Sequence, residues 1–198
     1  MKYKVIIISL CILIISMILI GCNKDIEEME PTSLNKDNTT LIDSNTMPDK
    51  MPSDFQIVFT FGVEQANQHS GINTVKGTVQ KDLVLDGLAS ADLVISEKNL
   101  ENIYAWIQKS NIVSYPKNYK PPYMENPPKD SIRLVTPSNV YKLWIQYDNT
   151  EYSLYWHDSN ASEIEEAIIL REALEEIKKI IRSLEEYDDL GQSNGGYD

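Results

Sequence analysis

A chain of 198 residues with 42% hydrophobic and 24% charged residues has room for one core-bearing domain, and is neither wholly disordered nor a multi-span membrane protein. Its formal charge of −12, from 18 basic against 30 acidic residues, argues against nucleic acid as a partner, because phosphate backbones demand clustered Lys and Arg. No catalytic or metal-binding motif rises above background, and no cofactor is expected.

At the N-terminus Lys2 and Lys4 precede an apolar run from Val5 to Ile20, closed by Leu19-Ile20-Gly21-Cys22. A run of sixteen mostly apolar residues falls short of the ~20 that cross hydrocarbon, so it reads as an export leader rather than a span. The closing residues resemble a lipobox, the processing motif of bacterial lipoproteins. That resemblance implies removal of residues 1–21 and a diacylglyceryl group on Cys22. The chain would then be held to the cell membrane at its extracytoplasmic face, since two acyl chains at about 0.8 kcal/mol per buried methylene make dissociation rare. It also implies a mature charge of −14, from 16 basic and 30 acidic residues, with neither a disulfide nor a free thiol.

Residues 22–52 are polar and aperiodic and read as a tether, with an r.m.s. span of roughly 30 Å for flexible coil. A domain is expected over 53–190. Phe55 to Phe61 alternates apolar and mostly polar residues, which predicts a strand. A polar turn over Glu64–Asn73 leads to a second strand, Thr74–Gln80, with Val75 and Val79 on one face. Leu83–Leu85 and Leu93–Ile95 read as short strands. Ser96 is a candidate N-cap for a helix that buries Leu100, Ile103, Tyr104 and Ile107 and ends near Ser110-Asn111.

Further along, Ser131–Thr136 and Val140–Tyr147 are strand-like, and Tyr152–His157 forms a hairpin with the latter. A two-residue loop at Asp148-Asn149 pairs Ile145 with Tyr152, whereas a four-residue loop pairs Tyr147 with Tyr152. Both registers bury the same apolar set. A helix over Ser162–Glu186, capped by Asn160 or Ser162, repeats Ala167, Leu170, Leu174, Ile177, Ile181 and Leu184. Glu175 and Lys179 are spaced as a helical ion pair. The tail 191–198 is Gly-rich and expected to be loose. Strands, helix, strands, helix predict an α+β fold: a two-layer sandwich of a mainly antiparallel sheet with two amphipathic helices on one face.

Strand parity sets Trp144, Tyr155 and His157 on the second face of the sheet. His157 and Asp158 point to opposite faces, so they form no dyad, and no metal-ligand spacing involves either His69 or His157. Between Tyr115 and Pro128 lie five prolines (Pro116, Pro121, Pro122, Pro127, Pro128) and three tyrosines (Tyr115, Tyr119, Tyr123). Proline lowers the entropy lost on binding and tyrosine supplies amphipathic area, so this segment reads as a recognition loop or as a crossover pinned to the core, and we favour the crossover. Tyr115, Tyr119, Tyr123, Trp144, Tyr155 and His157 form the candidate binding surface.

The body resembles small lipoproteins of Bacillus-like bacteria. The resemblance rests on Phe55, Phe59 and Phe61, the run Val113-Ser114-Tyr115-Pro116, Trp156, and Tyr187 with Gly195-Gly196-Tyr197; it implies no activity. In element order the chain is weakly similar to emfourin-type protein inhibitors of metalloproteases. The expected function is a non-enzymatic, membrane-anchored module for a protein or cell-wall ligand. A surface-tethered protease inhibitor is the alternative and a hydrolase the third reading.

Overall fold

The computed structural model describes residues 46–122, 136–159 and 163–197. The leader, Cys22, most of the tether, Tyr123, Pro127, Pro128, the expected strand at 131–135, and Asn160 and Ser162 lie outside these residues. In chain order the elements are β1 (Gln56–Val63), β2 (Ser70–Asn73), β3 (Thr78–Asp82), β4 (Leu88–Asp92), α1 (Glu97–Lys109), a 3-10 turn (Ile112–Ser114), β5 (Asn118–Tyr119), β6 (Asn139–Tyr147), β7 (Thr150–Asp158), α2 (Glu165–Arg182) and α3 (Glu185–Asp188). Among the described residues seven strands form one sheet in the order β4-β3-β2-β1-β6-β7-β5. Every pairing is antiparallel except that of β5 with β7.

Alternation builds the core. Ile57, Phe59 and Phe61 face the same side as Ile145, Leu143 and Tyr141, their ladder partners, and this row continues into Leu154 and Trp156 of β7. Ile103 and Ile107 of α1 and Leu170, Leu174, Ile177 and Ile181 of α2 close over that face in one buried cluster. Each such side chain stabilises by about 1.5–3 kcal/mol on burial, which fixes both helices to the same side. The fold is α+β, a mainly antiparallel sheet under amphipathic helices.

The hairpin takes the two-residue loop, pairing Ile145 with Tyr152 and Tyr141 with Trp156. Asp148 and Asn149 both have positive φ (46° and 58°), the conformation that a tight turn matched to strand twist requires. The Asp54 carboxylate accepts from the backbone N–H of Asp148 and of Asn149, at 2.9 and 2.8 Å. The Asn149 hydrogen bond, foremost, holds that carboxyl below its usual range.

Several expectations need correction. The expected strand Thr74–Gln80 is a turn followed by β3: Asn73 Oδ1 accepts from Lys76 N at 2.9 Å, and Gly77 has a φ of 62°. Val75 is therefore exposed while Val79 is buried. The expected polar turn over Glu64–Asn73 contains β2. Leu83–Leu85 and Leu93–Ile95 flank β4 rather than form strands. The terminal helix breaks at Ser183, because Leu184 turns extended (φ −70°, ψ 137°) and the chain re-enters as α3, burying Leu184 and Tyr187. Thus three helices, not two, are present among the described residues. Glu175 accepts from Tyr141 Oη at 2.7 Å and pairs with Lys178, not Lys179, which pairs with Glu176.

Both ends of the domain are tied down. Met47 is buried, and Pro48 O accepts from Tyr104 Oη (2.6 Å) and Gln108 Nε2 (2.7 Å), so residues ahead of 53 pack onto the domain. At the other end, where a loose tail was expected, Ser193 Oγ donates to Asp82 O, Asn194 exchanges backbone bonds with Leu83 and Leu85, and Tyr197 Oη donates to Asp82 Oδ2. That last bond, with some burial, pushes the Tyr197 hydroxyl up to about 12.

Candidate functional site

Even-numbered positions of β1 and β6 and odd-numbered positions of β7 turn away from the helices. Across this open face Thr60 pairs with Lys142 and Lys142 with Tyr155, and Tyr155 pairs with Asn118 of β5. One step along the strands, His157 sits opposite Val140, which lies opposite Gly62. Strand alternation thus delivers one aromatic ring, flanked by a lysine and an amide, to an outward surface.

Beside this row a cleft of about 460 Å³ is lined by Asn118, Tyr119, Lys120, Pro121, Tyr155, His157 and Ser159. Tyr155 is 41% exposed, and Asn118 and Lys120 are exposed as well, so the cleft carries one large ring with polar and cationic groups around it. Trp144 lies one row away, between Val58 and Ser153, and its Nε1 donates to Glu151 Oε2 at 3.4 Å. His69 is half-buried close over Gly62, where any β-carbon would collide with the imidazole. Burial, with the nearby Lys142 charge, pushes its pKa down.

His157 is engaged in a way parity does not reveal. Ser138 Oγ lies 2.7 Å from His157 Nε2, and Glu64 Oε2 lies 3.3 Å from the same nitrogen. A serine relay needs the carboxylate on the imidazole nitrogen that does not face the serine. Here both partners converge on Nε2, and Ser138 is only 3% exposed, so no substrate carbonyl can approach its hydroxyl. With Glu64 N donating to Ser138 O at 2.9 Å, the trio fastens the turn after β1 to the start of β6.

Two of the sequence-selected tyrosines are not on the open surface. Tyr119 is 5% exposed, its ring edge-on to Trp156 at 5.5 Å and to Tyr115 at 5.0 Å, and burial pushes its hydroxyl up to about 12. Tyr115 Oη donates to Glu166 O at 2.9 Å, while Tyr115 O accepts from Tyr152 Oη at 3.0 Å. As far as it is described, the Pro/Tyr segment is a crossover from α1 to the sheet edge. It nevertheless supplies Asn118, Lys120 and Pro121 to the cleft. These residues, with Ser159, were missed; the alternation Asn118-Tyr119-Lys120 is a strand signal, and the surrounding prolines obscured it.

Tyr155 and His157 therefore share one cleft, Trp144 stands beside it, and Tyr115 and Tyr119 pack beneath. Among the described residues no group of three His, Cys, Asp or Glu side chains is placed to hold a metal ion. No helix among them is long and apolar enough to cross a membrane. The chain matches no family model and no curated protein.

Proposed function

We propose that the protein is a lipid-anchored, extracytoplasmic, non-enzymatic binding module that holds a cell-wall ligand in the cleft beside Tyr155. The observation that carries this reading is an exposed aromatic ring between Lys142 and Asn118 on a sheet face that no described helix covers. A phenol ring stacks on the apolar face of a sugar, and the amide of Asn118 and hydroxyl of Ser159 match its hydroxyls. Lys120 and Lys142 supply cationic charge for a carboxylate or phosphate, on a chain whose net charge is −12. The arrangement of His157 with Ser138 and Glu64 supports a binding role over hydrolysis. The Lys2–Cys22 leader supports the anchor.

Two measurements test the two halves of this proposal. In sedimentation with insoluble cell walls, Tyr155→Ala should weaken binding of the purified full-length protein about ten-fold, which corresponds to about 1.4 kcal/mol. Wild-type affinity in that variant overturns the cleft, and stoichiometric inhibition of a secreted protease by the wild type would favour the inhibitor reading instead. Separately, Cys22→Ala should release the protein from the membrane fraction with loss of lipid mass. Unchanged mass and membrane partition in that variant overturn the anchor.

A further inference from the structure

β4 closes the sheet on the side away from β5, and no described residue pairs with its outer edge. Its hydrogen-bonding phase is fixed at both ends, since Leu93 N donates to Gly77 O and Leu83 N to Gly87 O, each at 2.8 Å. Bonded and non-bonded pairs alternate along an antiparallel ladder. Ala89 and Ala91, opposite Lys81 and Val79, therefore face β3 with their peptide groups. Leu88, Ser90 and Asp92, opposite Asp82, Gln80 and Thr78, turn their N–H and C=O outward. All three residues are exposed.

Natural sheets block such an edge with lysine, proline or a bulge. Leu88-Ala89-Ser90-Ala91-Asp92 contains neither residue, and its register with β3 runs unbroken. Its small side chains leave the backbone accessible, and Leu85 and Leu88, 76% and 41% exposed, add apolar surface at one end. The surroundings are acidic. Asp86 and Asp92 are exposed on the hairpin, and α3, packed beside β3 and β4, brings exposed Glu185 and Asp188. The cation on β3, Lys81, is buried with its ammonium 4.8 Å from the Tyr187 ring centroid and 3.5 Å from Tyr187 O, so it is already engaged rather than free to pair with the edge carboxylates.

We infer that β4 takes up an extended segment of a partner protein, bearing lysine or arginine at alternate positions, as an additional strand. Main-chain hydrogen bonds to Leu88, Ser90 and Asp92 supply the affinity, and the carboxylates select the partner's charge. A second copy of this chain is the disfavoured occupant, because self-pairing about Ser90 brings two identical acidic margins together. This surface is separate from the cleft at Tyr155, and the inference does not depend on the ligand proposed there.

The test is hydrogen–deuterium exchange of the full-length protein with a capped, soluble peptide alternating lysine and valine, against one alternating glutamate and valine. The lysine peptide should slow exchange of the Leu88, Ser90 and Asp92 amides at least ten-fold, with the effect fading at high salt. The glutamate peptide should leave them unchanged. Ser90→Pro removes an outward N–H without removing a ladder bond, and should abolish protection at Leu88 and Asp92. The double substitution Asp86→Lys with Asp92→Lys changes only exposed side chains and should shift the preference toward the glutamate peptide. Absence of protection by the lysine peptide, equal protection by both peptides, or an unchanged preference in the charge-reversed protein overturns the inference.

Discussion

Replacing Arg171 with methionine should destabilise the protein by about 3–5 kcal/mol, read as a lower urea midpoint at unchanged slope. Arg171 reaches from α2 to β7, where Nε and Nη2 contact the two Asp158 oxygens at 2.5 and 2.9 Å. The Asp158 side chain is 3% exposed and the arginine 25%, so water cannot take over when the guanidinium is removed. The cost comes from the carboxylate left behind and not from any intrinsic strength of the pair, because both ions lost hydration on folding. A second measurement separates these contributions. Arg171→Met combined with Asp158→Leu should recover most of the loss, whereas a single-variant cost below about 1 kcal/mol would show that the pair is solvated.

Trp156→Ala should cost a similar amount, about 3–5 kcal/mol, measured by the same unfolding experiment. The ring is fully buried at the junction of three elements: 5.5 Å from Tyr119 of β5, 5.7 Å from Tyr141 of β6, and 5.4 Å from the Arg171 guanidinium of α2. Truncation opens a cavity that these neighbours cannot all collapse into, since two belong to paired strands. The pairing of Tyr119 with Trp156 is also one of the two register pairs holding β5 to the sheet. Loss of the ring contact with Tyr119 should loosen that edge, so on the proposed function the variant should also bind cell walls more weakly, although its Tyr155 is intact. A stability loss under about 1 kcal/mol would mean that the indole is not the packing centre it occupies here.

How much of this was readable beforehand depends on the strength of the local pattern. β1, the β6–β7 pair, α1 and the buried stripe of α2 carry long apolar repeats of period two or three-to-four, and their types and faces follow from those alone. β4 escaped because Ala89, Ser90 and Ala91 have little strand preference; what places them is pairing with β3, a tertiary effect. β2 was hidden by its glycine and the polar residues before it. The hairpin register was undetermined because both candidates buried the same side chains, and the contact with Asp54, far off in sequence, lies with the two-residue turn.

The site divides in the same way. Outward parity alone places Trp144, Tyr155 and His157 on the open face. The convergence of Glu64 and Ser138 on His157 joins residues from three separate parts of the chain, so no spacing could announce it. Tyr115 and Tyr119 misled because tyrosine serves a recognition surface and a core lid equally well. Only the parallel pairing of a two-residue strand with β7 decides between them.

The strand order itself sets how far apart the two margins of the sheet lie. β5 and β4 bound opposite margins of a seven-stranded sheet, and neighbouring strands lie about 4.8 Å apart, which separates the two margins by roughly 29 Å. A saccharide seated at one margin and a peptide zipped along the other would not meet. On the two proposals above, such a body would space its guests like a small bracket, with neither having to yield its place.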